Sequence, residues 1–270
     1  MDLQATSAPH SDPPTTAQMW KLTLAYDGTD FRGWQVQPGL PTVQGELAAA
    51  LERVTGEATL PQGSGRTDTG VHALAQVASV ALHAPIPSLN LMRALNRTLP
   101  AAIRVLHAQH ASADFHARHS AIGKQYEYRI FRGELCPPTL CRYVYALNWP
   151  LDLAAMVAAA PHILGTHDFS SFAAIDPDRT ARMLAEPGLD NRRTLTHSAW
   201  HAGDDLLIYT VRGSGFLHHM VRNLVGTFLE IGHGQRTAAS MPALIDARDR
   251  TAAGATAPAR GLFLHSVDYP

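Results

Sequence analysis

The stretch GSGRTDTGVHA at residues 63–73, followed by LAQVASVAL at residues 74–82, sets a glycine-rich turn directly before a β-strand. Its three glycines allow the backbone to turn sharply, and an Asp in such a turn can point into a cleft. Arg66 lies two residues before Asp68, so both side chains share a side where the backbone is extended. Spacing alone favours the first of two interpretations. Asp68 either hydrogen-bonds its own turn, the commoner use of Asp, or presents a carboxylate for chemistry.

Strands and helices alternate on both sides of this turn. Before it, WKLTLAY at residues 20–26 has the alternation of a half-buried strand, and residues 42–57 have helical spacing with Thr42 as N-cap. After it, KQYEYRIF at residues 124–131 alternates strictly. FLHHMVRNLVGTFLEIG at residues 216–232 is predicted to be a helix whose apolar stripe comprises Phe216, Met220, Leu224, Phe228 and Ile231. The pattern predicts an α+β fold.

The two halves of the chain have a similar series of strands and helices, which predicts two related α+β lobes. We place the N-terminal lobe at residues 19–115 and the C-terminal lobe at residues 116–270. Residues 1–18 are polar and rich in Pro, so we expect a disordered tail. Residues 175–192 lack a pattern and are predicted to form a long loop.

Composition limits the class of protein. The 270 residues are 46% hydrophobic and 17% charged, the balance of a soluble globular protein that buries a core. No apolar run reaches the roughly 18–20 residues of a membrane helix, and the first residues lack the pattern of a signal peptide. We therefore expect a cytoplasmic protein without membrane contact, in which a Cys136–Cys141 disulfide is disfavoured. The net charge of −1 argues against a wholly basic nucleic-acid binder.

Asp27 in YDGTD is the rival carboxylate. A strand that ends in Asp-Gly-Thr resembles the phosphotransferase loop of haloacid-dehalogenase-like hydrolases. That loop requires a second Asp two residues earlier, and Ala25 occupies this position here. The sequence therefore favours a turn at Asp27.

The segment around Arg222 holds candidate partners for Asp68. A buried Arg on a helix needs a carboxylate partner, and Asp68 is a candidate for Arg222. The neighbouring His218 and His219 should face different ways on a helix, and neither has a His four residues on. We therefore predict no metal site.

Residues 118–132 interleave basic and aromatic side chains. Tyr126 and Tyr128 share a strand face, and the basic residues around them are Arg118, Lys124, Arg129 and Arg132. Rings that stack on bases beside Arg contacts to phosphate would suit RNA. Strict alternation equally suits two core tyrosines backed by a wet face, so both interpretations stay open.

Several stretches together resemble the tRNA pseudouridine synthase A family. They occur in that family's order and spacing from about residue 20 to residue 270: YDGTDFRGWQ, TVQGEL, GRTDTGVHA, DFHARHSA, KQYEYRI, DFSSF, GFLHHMVRNLVG and ARGLFLHSVDYP. GRTDTGVHA and HHMVRN are the most specific of these.

The resemblance implies an isomerase that converts uridine to pseudouridine at positions 38, 39 and 40 of the tRNA anticodon stem-loop. It implies that Asp68 is the single catalytic carboxylate. It further implies that Arg66 fills the space left by a flipped base, that Arg222 pairs with Asp68, and that Tyr126 stacks on the base or takes part in the later removal of a proton from C5. The reaction neither gains nor loses atoms and is not redox chemistry, so no cofactor is expected.

The resemblance also implies a pseudouridine synthase fold, in which two RRM-like lobes share a mainly antiparallel sheet with the catalytic cleft between them. A homodimer would bind each tRNA across both subunits. Positive side chains in the cleft would contact phosphates, with Arg32, Arg118, Lys124 and Arg129 as candidates. The chain departs from the family pattern in the length of residues 175–192 and in carrying His119 where an aromatic residue is common.

Two other functions compete with this interpretation. One is a tRNA-binding protein or chaperone, which would bind tRNA tightly without forming product. The other is a phosphoryl hydrolase built on Asp27, which would release phosphate in a metal-dependent reaction.

Overall fold

One ten-stranded sheet organises the molecule, for which a computed structural model describes residues 16–175 and 190–270. Eight strands lie in the order β4-β1-β3-β10-β5-β9-β8-β7, while β2 pairs with β3 and β6 with β5. Their bounds are β1 Gln18–Tyr26, β2 Gln62–Gly63, β3 His72–Leu82, β4 Ile103–His110, β5 Gly123–Phe131, β6 Tyr145–Ala146, β7 Gly165–Asp168, β8 Arg192–Ala202, β9 Leu206–Gly213 and β10 Leu262–Asp268. Only the β3–β10 and β5–β6 pairs are parallel. The predicted α+β class with a mainly antiparallel sheet is confirmed.

The strand β10 joins the two halves of the sheet. It pairs in parallel with β3 through Phe263 and His72, and antiparallel with β5, where Leu264 lies opposite Tyr126. Strands β1 to β4 therefore lie on one side of β10, and β5 to β9 lie on the other. This arrangement brings the turn before β3 close to β5. That the halves form two lobes at residues 19–115 and 116–270, with the catalytic cleft between them, stays a prediction.

Five α-helices accompany the sheet in the described residues, together with several short 3₁₀ turns. They are α1 Val43–Thr55, α2 Ser88–Thr98, α3 Leu153–Ala159, α4 Met220–Gly232 and α5 Met241–Ala247. The predicted cap is confirmed, since the Thr42 side chain accepts a hydrogen bond from Gly45 N. Val43, Leu47 and Leu51 are buried along one face of α1, as their spacing predicts.

The helix α4 is shorter than its sequence predicts. Its first residue is Met220, so Phe216, His218 and His219 precede it. His219 adopts φ 58°, a left-handed conformation that a continuous α-helix does not contain. The apolar stripe therefore begins at Met220, and Phe216 instead packs edge-on against Tyr126 with ring centroids 4.9 Å apart.

A buried aromatic cluster packs α4 onto the C-terminal half of the sheet. The Phe228 ring lies 5.2 Å from that of Tyr209 and 5.9 Å from that of Trp200. Tyr128 is fully buried, so it occupies a core position and is not available to stack on RNA bases. The core interpretation of strict alternation in β5 is thus confirmed for Tyr128.

Some expectations fall on other parts of the chain. Most of the predicted tail at 1–18 and of the predicted loop at 175–192 lies outside the described residues. Cys136 and Cys141 are both free thiols. Within residues 16–175 and 190–270, no helix has the length and apolarity needed to cross a membrane.

Candidate active site

The loop between β2 and β3, residues 64–71, is held in place through its backbone carbonyls. Lys124 Nζ donates to Ser64 O at 2.6 Å, and Gln76 Nε2 donates to Gly65 O at 2.9 Å. Trp34 N donates to Thr67 O at 3.0 Å. Because three distant residues bind the main chain, the loop is fixed while the Asp68 carboxylate is left out of this network.

The segment after β1 fits against this loop only because it contains glycine. Gly33 adopts φ +86°, and a Cβ at this position would lie 2.6 Å from Thr67 O. No side chain fits at that distance, and few residues other than glycine adopt that φ. Gly33 thus allows the Trp34 backbone to reach the loop that carries Asp68.

Asp68 forms an ion pair with Arg222 from the first turn of α4. Arg222 Nη1 lies 3.1 Å from Asp68 Oδ2, and Arg222 Nε donates to Ala257 O at 2.7 Å. The Arg222 side chain is only 14% exposed, so the carboxylate compensates a largely buried positive charge. The predicted contact between the two residues is confirmed. It favours the interpretation of Asp68 as a presented carboxylate, since its side chain is not used within its own turn.

Both histidines before α4 reach the same carboxylate. His218 Nε2 lies 3.5 Å from Asp68 Oδ1, and His219 Nε2 lies 3.3 Å from Asp68 Oδ2. The expectation that they face different ways is wrong, because the left-handed conformation of His219 brings the two rings to 4.0 Å from each other. Burial lowers the pKa of His219, which favours its neutral form.

The same three residues are the only group of potential metal ligands found among the described residues. Their ligand atoms all lie within 4.8 Å of one another, close enough to share one cation. The Arg222 guanidinium on Asp68 opposes a dication there through its positive charge.

Tyr126 lines the site from β5. It is 8% exposed and is buried beside the Phe216 ring. Burial raises the pKa of Tyr126, and the nearby Tyr26 and Asp68 raise it further. The phenol therefore stays protonated at neutral pH, a form that can stack or donate but not accept a proton.

Lys124 lies beneath the loop rather than on the open surface. Burial, followed by the charges of Arg118 and Arg193, lowers the pKa of Lys124 to about 8. These three side chains thus make one positive region beside the loop, and Arg118 is exposed within it. Both Arg66 in the loop and Arg32 in the segment packed on it are also exposed.

Arg129 is the one candidate that lies away from Asp68. Side chains of a strand alternate in direction, so Arg129 projects from the opposite face of β5 to Lys124 and Tyr126. It pairs with Glu127 at 3.0 Å and lies over the Phe263 ring at 4.0 Å. The structure therefore brings Lys124 and Tyr126 to the loop but not Arg129.

Both carboxylate oxygens of Asp27 accept hydrogen bonds from other protein groups. Its Oδ1 accepts from Thr29 N at 3.0 Å and from Thr29 Oγ1 at 2.6 Å, and its Oδ2 accepts from Tyr143 Oη at 2.9 Å. His72 Nδ1 lies 3.2 Å from Oδ1. Burial alone would raise the pKa of Asp27, but the Thr29 and Tyr143 hydrogen bonds outweigh it and hold the pKa below its usual value. The predicted turn at Asp27 is confirmed.

Sequence reasoning missed Gln76, which holds the loop from β3. Its amide is completely buried and binds Gly65 O, Ser64 Oγ and the Tyr26 hydroxyl. A single amide within the small apolar residues of LAQVASVAL is a signal that could have identified it, because buried polar side chains need partners.

Comparisons with known proteins agree on one family. The sequence profile of the tRNA pseudouridine synthases matches residues 23–120 and 159–270. A protein called tRNA pseudouridine synthase A from Solibacter usitatus is 50% identical over 250 residues, covering 92% of this chain and 98% of the relative. Proteins of the same name from Moorella thermoacetica and Halalkalibacterium halodurans are 45% and 46% identical, covering 92% and 90% of this chain and 98% and 89% of the relatives.

Proposed function

The chain belongs to the tRNA pseudouridine synthase family, isomerases that convert uridine to pseudouridine in tRNA, and from that premise we propose that it modifies positions 38, 39 and 40 of the anticodon stem-loop with Asp68 as its catalytic carboxylate. The observation that carries this proposal is the contact of Asp68 with Arg222. Residues 154 positions apart in sequence meet there, within a loop whose main chain is bound to distant residues.

The chemistry needs one ionised carboxylate. The N1–C1′ bond of the nucleotide breaks, the uracil rotates, and C5 forms a new bond to C1′. Arg222 stabilises the negative charge of Asp68, which fits it to attack the sugar or base, or to remove a proton from the sugar. No electrons are exchanged with another molecule, so we propose that the reaction needs no cofactor.

The target uridine must leave its stack to reach Asp68, because a base within an RNA helix is closed to the protein. We assign Arg66 to the space that the base leaves, since it is exposed two residues before Asp68. Tyr126 is assigned to the flipped uracil. Its buried, protonated phenol favours a stacking or donating role over proton removal.

Positive charge beside the loop supports tRNA as the ligand. Arg118 and Lys124 lie close to each other and to Arg193, and RNA phosphates contribute most of the binding free energy in such sites. Arg32 lies in the segment packed on the loop and is assigned to the same contact. Arg129, the fourth candidate, pairs with Glu127 on the other face of β5, and we give it the weakest role. We further propose a homodimer in the cytoplasm, with each tRNA bound across both subunits.

The test is pseudouridine formation in an unmodified tRNA transcript, in buffer that contains EDTA. Transcripts in which the uridine at position 38, 39 or 40 is replaced by cytidine show which positions react. Asp68→Asn should abolish product, and Asp27→Asn should retain it, since the two substitutions differ only in which turn loses its carboxylate.

Each part of the proposal has an outcome that contradicts it. Product at other uridines would overturn the assignment to the anticodon stem-loop. Full activity of Asp68→Asn would overturn the catalytic assignment. Tight tRNA binding without product would indicate a binding protein, and metal-dependent phosphate release lost in Asp27→Asn would indicate a hydrolase. Light scattering at micromolar protein tests the homodimer, and a monomeric mass would overturn it.

A further inference from the structure

We propose that His218 is a further catalytic residue, whose Nε2 accepts the proton that leaves C5 of the uracil. The inference rests on the proposed function and assigns a step that Asp68, Arg66 and Arg222 leave open. Once C5 is bonded to C1′, that carbon still carries its hydrogen, and a base must remove it before pseudouridine is complete.

The tautomer of His218 is set by its contact with the main chain. His218 Nδ1 lies 3.0 Å from Ile175 O. A carbonyl oxygen only accepts hydrogen bonds, so Nδ1 must carry the proton of the neutral ring. The lone pair of the imidazole is then on Nε2, the atom that faces Asp68 Oδ1 at 3.5 Å.

The carboxylate beside Nε2 offers the transferred proton an acceptor. A lone pair and a carboxylate oxygen repel each other, whereas an imidazolium Nε2–H donates to that oxygen. The proton that His218 gains can therefore form a hydrogen bond to Asp68 Oδ1.

The other basic groups at the site are less suited to this step. The buried Tyr126 keeps its own proton because its pKa is raised. Asp68 Oδ2 already accepts from Arg222. His219 has no carbonyl to hold its tautomer in the described hydrogen bonds, and its Nε2 can donate to Asp68 Oδ2 at 3.3 Å. We therefore assign His219 to the orientation of Asp68.

The backbone conformation of His219 also supports a functional role for the two histidines. His219 occupies the left-handed region at φ 58°, where a residue other than glycine is disfavoured. Such conformations cluster at functional sites, where the surrounding structure maintains them. Here the consequence is that two imidazoles converge on one carboxylate.

The proposed proton transfer changes bonds at C5, C6 and N1 of the uracil. The C5–H bond breaks, and its proton passes to His218 Nε2. The electron pair of that bond restores the C5=C6 double bond, and the electrons of the C6=N1 bond move to N1. N1 then takes up a proton, and His218 returns its own to solvent.

The experiment uses full-length protein and tRNA transcribed with uridine that carries either protium or deuterium at C5. His218→Asn retains a side-chain N–H for Ile175 O but removes the Nε2 base. We expect it to lower the rate of pseudouridine formation about 10²-fold. Proton removal then becomes rate-limiting, so the variant should react more slowly with the deuterated tRNA, and added imidazole should restore part of the rate.

The matched control is His219→Asn, which should show neither a larger isotope effect nor rescue by imidazole. Equal tRNA binding by His218→Asn and the wild type excludes misfolding, and His218→Gln serves if His218→Asn does not fold. A wild-type rate in the folded variant would overturn the inference. So would a slow variant without an isotope effect or rescue. If the wild type forms no pseudouridine, the proposed function fails instead, and the two failures are thus distinguishable.

Discussion

The two Asp-containing turns of this protein, residues 26–30 and residues 66–70, use the same residue types for opposite purposes. In the first turn, Thr29 and Tyr143 bind the Asp27 carboxylate. In the second turn, the protein binds the backbone carbonyls and leaves the Asp68 carboxylate to meet Arg222 and two histidines. The difference lies in which atoms of the turn are satisfied by their surroundings.

That difference shows how a carboxylate becomes available for chemistry. A carboxylate that accepts several hydrogen bonds from its own turn is a fixed structural element. When distant residues hold the main chain instead, the side chain keeps its lone pairs for a substrate. We therefore expect substitutions around the second turn to lower the rate of the reaction, and substitutions around the first turn to lower only the free energy of unfolding.

Among the residues that surround Asp68, the largest effect is expected for Arg222→Met. It removes the positive charge that stabilises ionised Asp68, and the loss of one such donor typically lowers the rate about 10²–10³-fold. Single-turnover pseudouridine formation measures the effect. Arg236→Met, which removes the partner of Glu230 beyond the end of α4, is the control and should keep the wild-type rate. A wild-type rate for Arg222→Met would contradict the expectation that the Asp68 turn serves activity whereas the Asp27 turn serves stability.

Gly33→Ala should displace the loop without touching the carboxylate. The new Cβ would lie 2.6 Å from Thr67 O in a left-handed backbone, so we expect the free energy of unfolding to fall by about 1–3 kcal/mol. Urea unfolding measures the loss, and the rate of product formation should fall with it. Gly39→Ala is the matched control, because Gly39 also has a positive φ but has open space around it. Equal losses for both variants would show that strain alone, and not the contact with Thr67, is responsible.

Lys124→Met should change the alkaline dependence of stability. Burial lowers the pKa of Lys124 to about 8 from its usual 10.5, so between these pH values the unfolded chain binds more protons than the folded one. The contribution of Lys124 to the free energy of unfolding therefore rises with pH over that range. Urea unfolding at about pH 7.5 and about pH 9.5 should show the wild type gaining stability relative to Lys124→Met between the two. Parallel changes in both proteins would contradict the pKa shift.

The smallest effect is expected for Asp27→Asn. It weakens the hydrogen bonds to Thr29 and Tyr143, which should cost about 1 kcal/mol near pH 7. The pKa of Asp27 is held below 3.8, so its stabilising contribution is present above that pH and is lost as the pH falls through the folded-state pKa. The unfolding curves of variant and wild type should therefore converge in acid. A large loss of activity at neutral pH would contradict the structural role of this turn.

Local sequence patterns predict the presence of the helices and strands better than they predict where each element begins. Helical spacing with Thr42 ahead of it identifies α1 and its cap, because both depend on residues within a few positions. The beginning of α4 cannot be predicted in this way. Its apolar stripe continues back to Phe216, and only contacts with Asp68 and Ile175 account for the departure of His218 and His219 from the helix.

The candidate site shows the same limit. The family resemblance identifies Asp68, Arg66, Tyr126 and Arg222, and the structure brings Arg222 and Tyr126 to Asp68. Spacing alone would have assigned Asp68 to its own turn. The amide of Gln76 and the ammonium of Lys124 hold the loop across 11 and 60 positions of sequence, so no local pattern contains these contacts.

The position of β10 has a consequence for the order in which this enzyme can be completed. β10 is the last of the ten strands to leave the ribosome, yet it lies between β3 and β5 in the middle of the sheet. The sheet cannot be continuous across its two halves until this strand has emerged. Ala257, whose carbonyl oxygen accepts a hydrogen bond from Arg222, emerges shortly before it. A nascent chain that stops short of β10 therefore lacks the strand that makes the sheet continuous, and its side-chain contacts across the halves, such as Asp68 with Arg222, form without that support.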